Sequence, residues 1–151
     1  DNSEFIINQL KKKYKKKKIN LICGNCINDI FSKKKYNLIF DRAAITHNSR
    51  NDIIKTITNI HKLLKKNSIF IGVDWYSNKC SFYNKKKKIN FLFFEKGPFA
   101  NIGGVFFSDK KQIEIFFKKF KILHLQEKII TSYVKNKKFK ISSWSIVAKK
   151  K

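Results

Sequence analysis

The sequence predicts an α/β fold: a mostly parallel sheet with helices on both faces and an antiparallel strand at its C-terminal end. Three observations carry this expectation. Helix-like and strand-like segments alternate along the 151 residues. The strand-like segments are short continuous apolar runs, as strands buried on both faces require. The last two strands are joined by a segment with no clear crossover helix, so they can pair antiparallel. Hydrophobic residues make up 42% and aromatics 15%, enough to bury a core, and the length suits one domain, residues 1–151.

The elements follow in order. Ser3 to Lys17 reads as a helix, with Ser3 as N-cap, Glu4 in the first turn, and Phe5, Ile6, Ile7, Leu10 and Tyr14 on one side. Ile19 to Cys23 reads as a short buried strand closed by the turn signal Gly24-Asn25, and Ile27 to Phe31 as a helical turn. Tyr36 to Phe40 is another buried strand, ending at Asp41. Asn51 to Lys66 carries Ile53, Ile54, Ile57, Ile60, Leu63 and Leu64 at helical spacing, and Asn67-Ser68 turns the chain into the strand Ile69 to Val73. Residues 75–107 are aromatic, without clear periodicity, and hold Pro98, Gly97, Gly103 and Gly104, the composition of a substrate-side insertion or lid. Ser108 to Lys119 reads as a helix with Ser108 as N-cap, and Lys121 to Gln126 and Lys140 to Ala148 as the closing strands.

Charge is the most unusual bulk property. Lys and Arg number 35 against 10 Asp and Glu, a net charge of +25. Only Arg42 and Arg50 are arginines, whereas phosphate-binding surfaces favour the bidentate guanidinium. Lys, Asn, Ile and Phe abound while Gly, Pro, Ala and Arg are scarce, the skew of AT-rich codons. The charge is therefore read as composition, with no specific nucleic-acid partner expected, only weak adhesion to polyanions at low salt. The lysine runs at 11–18 and 85–88 are read as solvated surface. No apolar run approaches the ~20 residues needed to span a bilayer, so no membrane partner is expected. Three scattered cysteines, Cys23, Cys26 and Cys80, argue against a disulfide scaffold and for the cytoplasm. The chain contains no Met, which makes a processed chain or a piece of a longer one the expectation.

In open α/β sheets ligands bind beyond the carboxyl ends of the strands. That rule selects Gly24, Asn25 and Cys26, then Asp41 and Arg42, then Asp74 and Trp75. Asp1, just before a helix, would end a strand of its own. Cys23 and Cys26 form a lone C-x-x-C, a weak metal or redox signal, His61 and His124 have no partner at ligand spacing, and His47 reads as a loop residue, so no metal site is expected. No phosphate loop, paired catalytic carboxylates or nucleophile elbow is present.

The ordered set Asp1-Asn2-Ser3-Glu4, Ile22-Cys23-Gly24-Asn25, Tyr36-Asn37-Leu38-Ile39-Phe40-Asp41-Arg42-Ala43-Ala44, Leu63-Leu64-Lys65-Lys66-Asn67-Ser68-Ile69 and Ser143-Trp144-Ser145-Ile146-Val147-Ala148 resembles a class I S-adenosylmethionine-dependent methyltransferase of the thiopurine and tellurite-resistance type. The resemblance implies a Rossmann-like fold that is incomplete at its N-terminus, since the family's first strand and glycine-rich turn have no counterpart here. It implies S-adenosyl-L-methionine as cofactor and a small-molecule methyl acceptor with a sulfur, selenium, tellurium or nitrogen nucleophile. Asp1 would accept hydrogen bonds from the ribose hydroxyls, Asn25 would contact the adenine amino group, and Cys26 would offer its backbone N–H. Asp41 and Arg42 would line the junction of cofactor and substrate, and a base at His47 would be optional. Trp75 and Tyr76, with Phe82, Tyr83, Phe91, Phe94 and Phe99, would cap the site. The alternatives are a lysine-rich nucleic-acid-binding protein and another nucleotide-binding Rossmann enzyme. The oligomeric state is left open.

Overall fold

Among the described residues, helix caps and apolar runs turn the alternating sequence into three helices and a four-stranded sheet. The computed structural model describes residues 3–28, 35–84, 89–134 and 137–151. In chain order the elements are α1 (Glu4–Lys13), β1 (Tyr36–Arg42), a 3-10 turn (Ile45–His47), α2 (Arg50–Leu63), β2 (Leu64–Tyr76), β3 (Phe91–Leu92), β4 (Val105–Phe106), α3 (Lys110–Phe116), β5 (Phe120–Val134) and β6 (Lys137–Lys150). Among the described residues the main sheet has the order β1-β2-β6-β5. β1 and β2 are parallel, while β6 runs antiparallel to both of its neighbours. The antiparallel C-terminal pair thus forms as the sequence predicts. β3 and β4 make a separate two-stranded ribbon.

Local chemistry sets the helix ends. Ser3 caps α1, its Oγ accepting the Ile6 N–H at 3.3 Å. α2 starts at Ser49, whose Oγ accepts the Asp52 N–H at 3.3 Å, and it stops three residues before the predicted end. There Lys150 Nζ reaches over from β6 and donates to the carbonyls of His61 and Leu64 at 2.6 and 2.8 Å. A cation on otherwise orphaned C-terminal carbonyls is favourable both as a hydrogen bond and against the helix dipole. α3 is capped by Asp109, one residue later than predicted, in a reciprocal capping box with Gln112 at 2.8 and 2.9 Å. Ser108 serves the loop instead, donating its N–H and its hydroxyl to the Tyr76 carbonyl.

One face of the sheet carries the core. Ile53, Ile57 and Ile60 of α2 and Ile113, Phe116 and Phe117 of the α3 region pack on Phe70, Trp144, Ile146 and Ala148 of the sheet. The Phe70 and Phe117 rings lie 5.3 Å apart and those of Trp75 and Phe117 5.7 Å apart. Each such side chain contributes roughly 1.5–3 kcal/mol by leaving water.

The N-terminal side departs from expectation. Residues 19–23 run without a strand partner among the described residues, and Cys23 is exposed, not buried. β1 is the edge of the described sheet, so Tyr36, Leu38 and Phe40 are exposed by 41, 53 and 58%, where the sequence predicted a buried strand. A lone extended segment cannot satisfy its backbone groups within a ladder, which is why the apolar run at 19–23 does not become a strand here. The predicted turn Ile27 to Phe31 lies partly outside the described residues, and the lysine run 85–88 lies wholly outside them.

A bulge in β2 decides which way Trp75 faces. Gly72 pairs with Ile146 and Trp75 with Trp144, three residues against two. Asp74 takes a left-handed φ of 59° at this point. The extra residue reverses the side-chain alternation, so Trp75 faces the same core side as Phe70 and Gly72. Gly72 makes room for it: a Cβ there would sit 3.0 Å from Trp75 Nε1 and 3.1 Å from the Phe70 ring.

The α3 cap gives a direct check on the fold. Asp109→Ala should lower the unfolding free energy by about 1 kcal/mol in urea titrations. Lys110→Ala, whose ion pair with Glu114 is on the surface, should stay within roughly 0.5 kcal/mol of the parent. Equal losses in both would refute the capping role.

Candidate active-site cleft

The cleft begins where β1 ends. Asp41 is 9% exposed, and its two carboxylate oxygens are separately engaged. Oδ2 accepts the Trp75 indole N–H at 2.7 Å, and Oδ1 accepts the Ile45 N–H at 3.3 Å. Ala43 makes the second contact possible. It adopts φ 56°, and its N–H donates to the Val73 carbonyl at 3.0 Å, so the chain folds back sharply into the 3-10 turn. A left-handed alanine costs about 1–2 kcal/mol, strain of the kind found at functional sites. Burial pushes the Asp41 carboxyl above its usual value, and the hydrogen bonds from Trp75 and Ile45 offset that only in part.

Asp41 looks into a cleft of about 760 Å³ that also takes in Gly24, Asn25, Cys26, His47, Thr56 and Asn59, with Ile39, Ile45, Ile60 and Leu63 as apolar wall. Its size fits a ligand of several hundred daltons. Asn25 is set by an Asx turn, its Oδ1 accepting the Ile27 N–H at 2.9 Å. His47 Nδ1 lies 3.0 Å from the Gly104 carbonyl oxygen. A carbonyl only accepts, so Nδ1 carries the proton and Nε2 is the nitrogen left to accept one. Glycine at 104 makes room for the Phe91 ring, from which a Cβ there would fall 2.1 Å. Thr56 Oγ1 is buried in the cleft wall with no hydrogen-bond partner among the described residues. A buried hydroxyl left without a partner is uncommon, and this one lies in the layer directly behind the cleft surface.

The structure sorts the residues that the sequence singled out. Asn25, Cys26, Asp41 and His47 share the cleft. Asp1 lies outside the described residues. Arg42 points away into solvent, with 74% of its side chain exposed, and pairs with Asp74 at 3.0 Å. Trp75 is 1% exposed and stands behind the wall, touching the cleft only through Asp41. The β2 bulge put it there. Tyr76 is half-buried, edge-on to Phe99 at 5.0 Å and to His47 at 5.8 Å. The other aromatics of 75–107 do not line the cleft. Phe99 and Phe107 instead gather Tyr76, Phe82, Tyr83 and Phe94 into a second small core. Ile102 is the residue this segment adds to the cleft wall. Among the described residues no three His, Cys, Asp or Glu side chains form a metal site. Thr56 and Asn59 are the site residues that sequence reasoning missed. Their only signal is two polar side chains three apart on an otherwise apolar helix stripe.

A second carboxylate sits further along the same rim. Glu127 of β5 accepts from Lys79 Nζ and Ser77 Oγ, and from Ser142 Oγ at 3.4 Å. Burial alone would raise its carboxyl, but the Lys79 ammonium and the two hydroxyls outweigh it, and the net shift is downward.

No protein-family model matches the chain, and no curated protein matches it in sequence. Solved structures do match. An S-adenosylmethionine-dependent methyltransferase from Methanosarcina mazei superposes with a TM-score of 0.72 at 14% identity, over 99% of this chain and 79% of that one. A second, from Clostridium acetobutylicum, gives 0.70 at 15% identity over 99% and 72%. TehB from Haemophilus influenzae gives 0.67 at 15% identity over 100% of this chain and 48% of its own. The fold is that of a Rossmann-like methyltransferase. At these identities the likeness is one of fold, and the chain spans between about half and four-fifths of these proteins' lengths.

The two rim carboxylates should respond oppositely to pH. Asp41 binds its proton more tightly folded than unfolded, so its contribution is greatest in acid and declines as pH rises through its folded value. Glu127 is depressed, so its contribution is present above the unfolded carboxylate range and is lost as pH falls through the folded value. Carbon-detected NMR titration should place Asp41 above ordinary aspartates, and higher still in Trp75→Phe, which removes the indole donor. An Asp41 titration unmoved by Trp75→Phe would contradict the assigned hydrogen bond.

Proposed function

We propose that the chain is an S-adenosylmethionine-dependent methyltransferase domain acting on a small-molecule acceptor. The observation that carries the reading is the shared cleft of Asn25, Cys26, Asp41 and His47 at the carboxyl end of β1, in a fold common to proteins described as S-adenosylmethionine-dependent methyltransferases. The residues present suit a nucleoside-bearing cofactor. The wall is largely apolar, and Asn25 and Asn59 add amides, the Asn59 amide donating to the Ile27 carbonyl at 3.1 Å. When bound, the cofactor supplies a methyl group activated on a positively charged sulfur.

The chain's own residues would then have simple duties. Asn25 and the Cys26 backbone N–H hold the adenine edge, and Asp1 takes the ribose hydroxyls. Asp41 presents a carboxylate that Trp75 and Ile45 keep in one orientation, a charge suited to a cationic ligand in a low-dielectric wall. Trp75 is thereby a positioning residue. Arg42, exposed and paired with Asp74 outside the cleft lining, is left without a part in binding, and Tyr76 backs His47. His47 Nε2 can take a proton from an acceptor that needs one, whereas a thiol or selenol asks little of a base. Alignment and exclusion of water would supply most of the acceleration. No helix among the described residues is long and apolar enough to cross a membrane, and action in the cytoplasm is part of the proposal.

Isothermal calorimetry with S-adenosylhomocysteine and with NAD tests the reading. Saturable binding of the first and none of the second is expected, with Asp41→Ala weakening it about tenfold, the worth of one charged hydrogen bond. Saturable binding of NAD without binding of S-adenosylhomocysteine would overturn the proposal in favour of another nucleotide-binding enzyme.

A further inference from the structure

β5 and β6 do not stop where the sheet stops. The last residue pair between β6 and β2 is Ser143 with Tyr76, yet β5 and β6 continue together to Val134 and Lys137. Those six further pairs, at ~3.4 Å per residue, carry a two-stranded ribbon about 20 Å past the rim on which the cleft opens. We propose that one face of this ribbon is a docking surface for single-stranded nucleic acid.

The strand register identifies the face. Directly opposed residues share a side, and sides alternate along the strands. Trp144 and Glu127 face the helix layer, so the same side carries Ile129 with Ser142, Thr131 with Lys140, and Tyr133 with Lys138 further out. The loop after β2 closes the base of this strip. Ser81 N–H donates to the Lys140 carbonyl and Lys140 N–H to Ser81 Oγ, both at 2.8 Å. Between loop and ribbon lies a second pocket of about 460 Å³, lined by Lys79, Cys80, Ser81, Tyr83, Ile129 and Lys140.

The chemistry of the strip suits a chain of phosphates and rings. Lys138 and Lys140 join no ion pair among the described residues, and the one carboxylate at the base, Glu127, is already held by Lys79. No Asp or Glu occurs in the sequence after Glu127. Tyr133 is 71% exposed beside Lys138, an open ring face next to a cation. Lysines along a groove with an exposed aromatic are the elements of sequence-tolerant single-strand binding, phosphates meeting ammonium groups while bases stack. A lipid surface would ask for a continuous apolar face, whereas this strip alternates hydroxyl, ammonium and ring. The surface is separate from the cleft and stands whatever the cleft binds.

Fluorescence anisotropy of a labelled 20-nucleotide oligothymidylate, over a salt series with the full chain, tests this. Tyr133→Ala should weaken binding about tenfold through lost stacking. The pair Lys138→Gln and Lys140→Gln should reduce the slope of log affinity against log salt by about 1.4, two phosphates' worth. A charge-matched control on α1, Lys11→Gln with Lys12→Gln, both exposed, should leave affinity and slope near the parent. Equal weakening in the control would overturn the proposal, since net charge alone would then explain the binding. So would Tyr133→Ala without effect together with equal competition by inorganic polyphosphate. Loss of phosphatidylserine-vesicle binding in the ribbon variants, with oligothymidylate binding intact, would overturn it in favour of a membrane.

Discussion

The buried hydrogen bond between the Trp75 indole and the Asp41 carboxylate joins the core of this protein to its cleft. On one side the indole is packed among Phe70 and Phe117, so its position is set by the helix layer. On the other the carboxylate belongs to the cleft wall. A charge-assisted hydrogen bond of this kind is worth about 1.5–3 kcal/mol, and leaving the carboxylate buried without it would cost more. Three unusual backbone features serve the bond. Gly72 leaves room for the indole, Asp74 takes the left-handed turn that flips it inward, and Ala43 folds back so that Ile45 can donate to the other oxygen.

Much of the fold was legible because it rests on local signals. Ser3 as a cap, the apolar stripe of α2, the strand at 69–73 and the antiparallel closing pair are written in spacing and turn chemistry. The strand-end rule likewise picked out Asn25, Cys26 and Asp41, which line one cleft. What was not legible depends on tertiary context. Alternation counted from Phe70 places Trp75 outside, and only the bulge reverses it. The apolar run at 19–23 has strand composition but finds no ladder partner among the described residues. Thr56 reads as an ordinary helix residue until α2 is seen forming the cleft wall. The aromatics of 75–107 read as a cap for a ligand, but Phe99 and Phe107 draw most of them into a core of their own.

The same distinction applies to charge. Counted along the chain, lysines occur in nearly every segment, and composition alone explains them. Strand pairing sorts them by side, and it is register that brings Lys138 and Lys140 onto one face of the overhanging ribbon with Tyr133. Segment 127–139 reads as mixed because lysine, hydroxyl and apolar residues interleave there, which is what a solvent-exposed two-stranded ribbon with two dissimilar faces looks like in sequence.

Trp75 also supplies the most direct probe of the link between core and cleft, because the chain has only two tryptophans and their indole N–H groups have different acceptors. Trp75 donates to Asp41, while Trp144 donates to the Ser108 carbonyl at 3.0 Å, away from the cleft lining. Titrating S-adenosylhomocysteine into nitrogen-15-labelled protein and following the two indole cross-peaks reads the cleft from behind its wall. The account predicts a saturable shift of the Trp75 indole with Trp144 unmoved. A Trp75 indole that stays fixed while ligand binds elsewhere would contradict it.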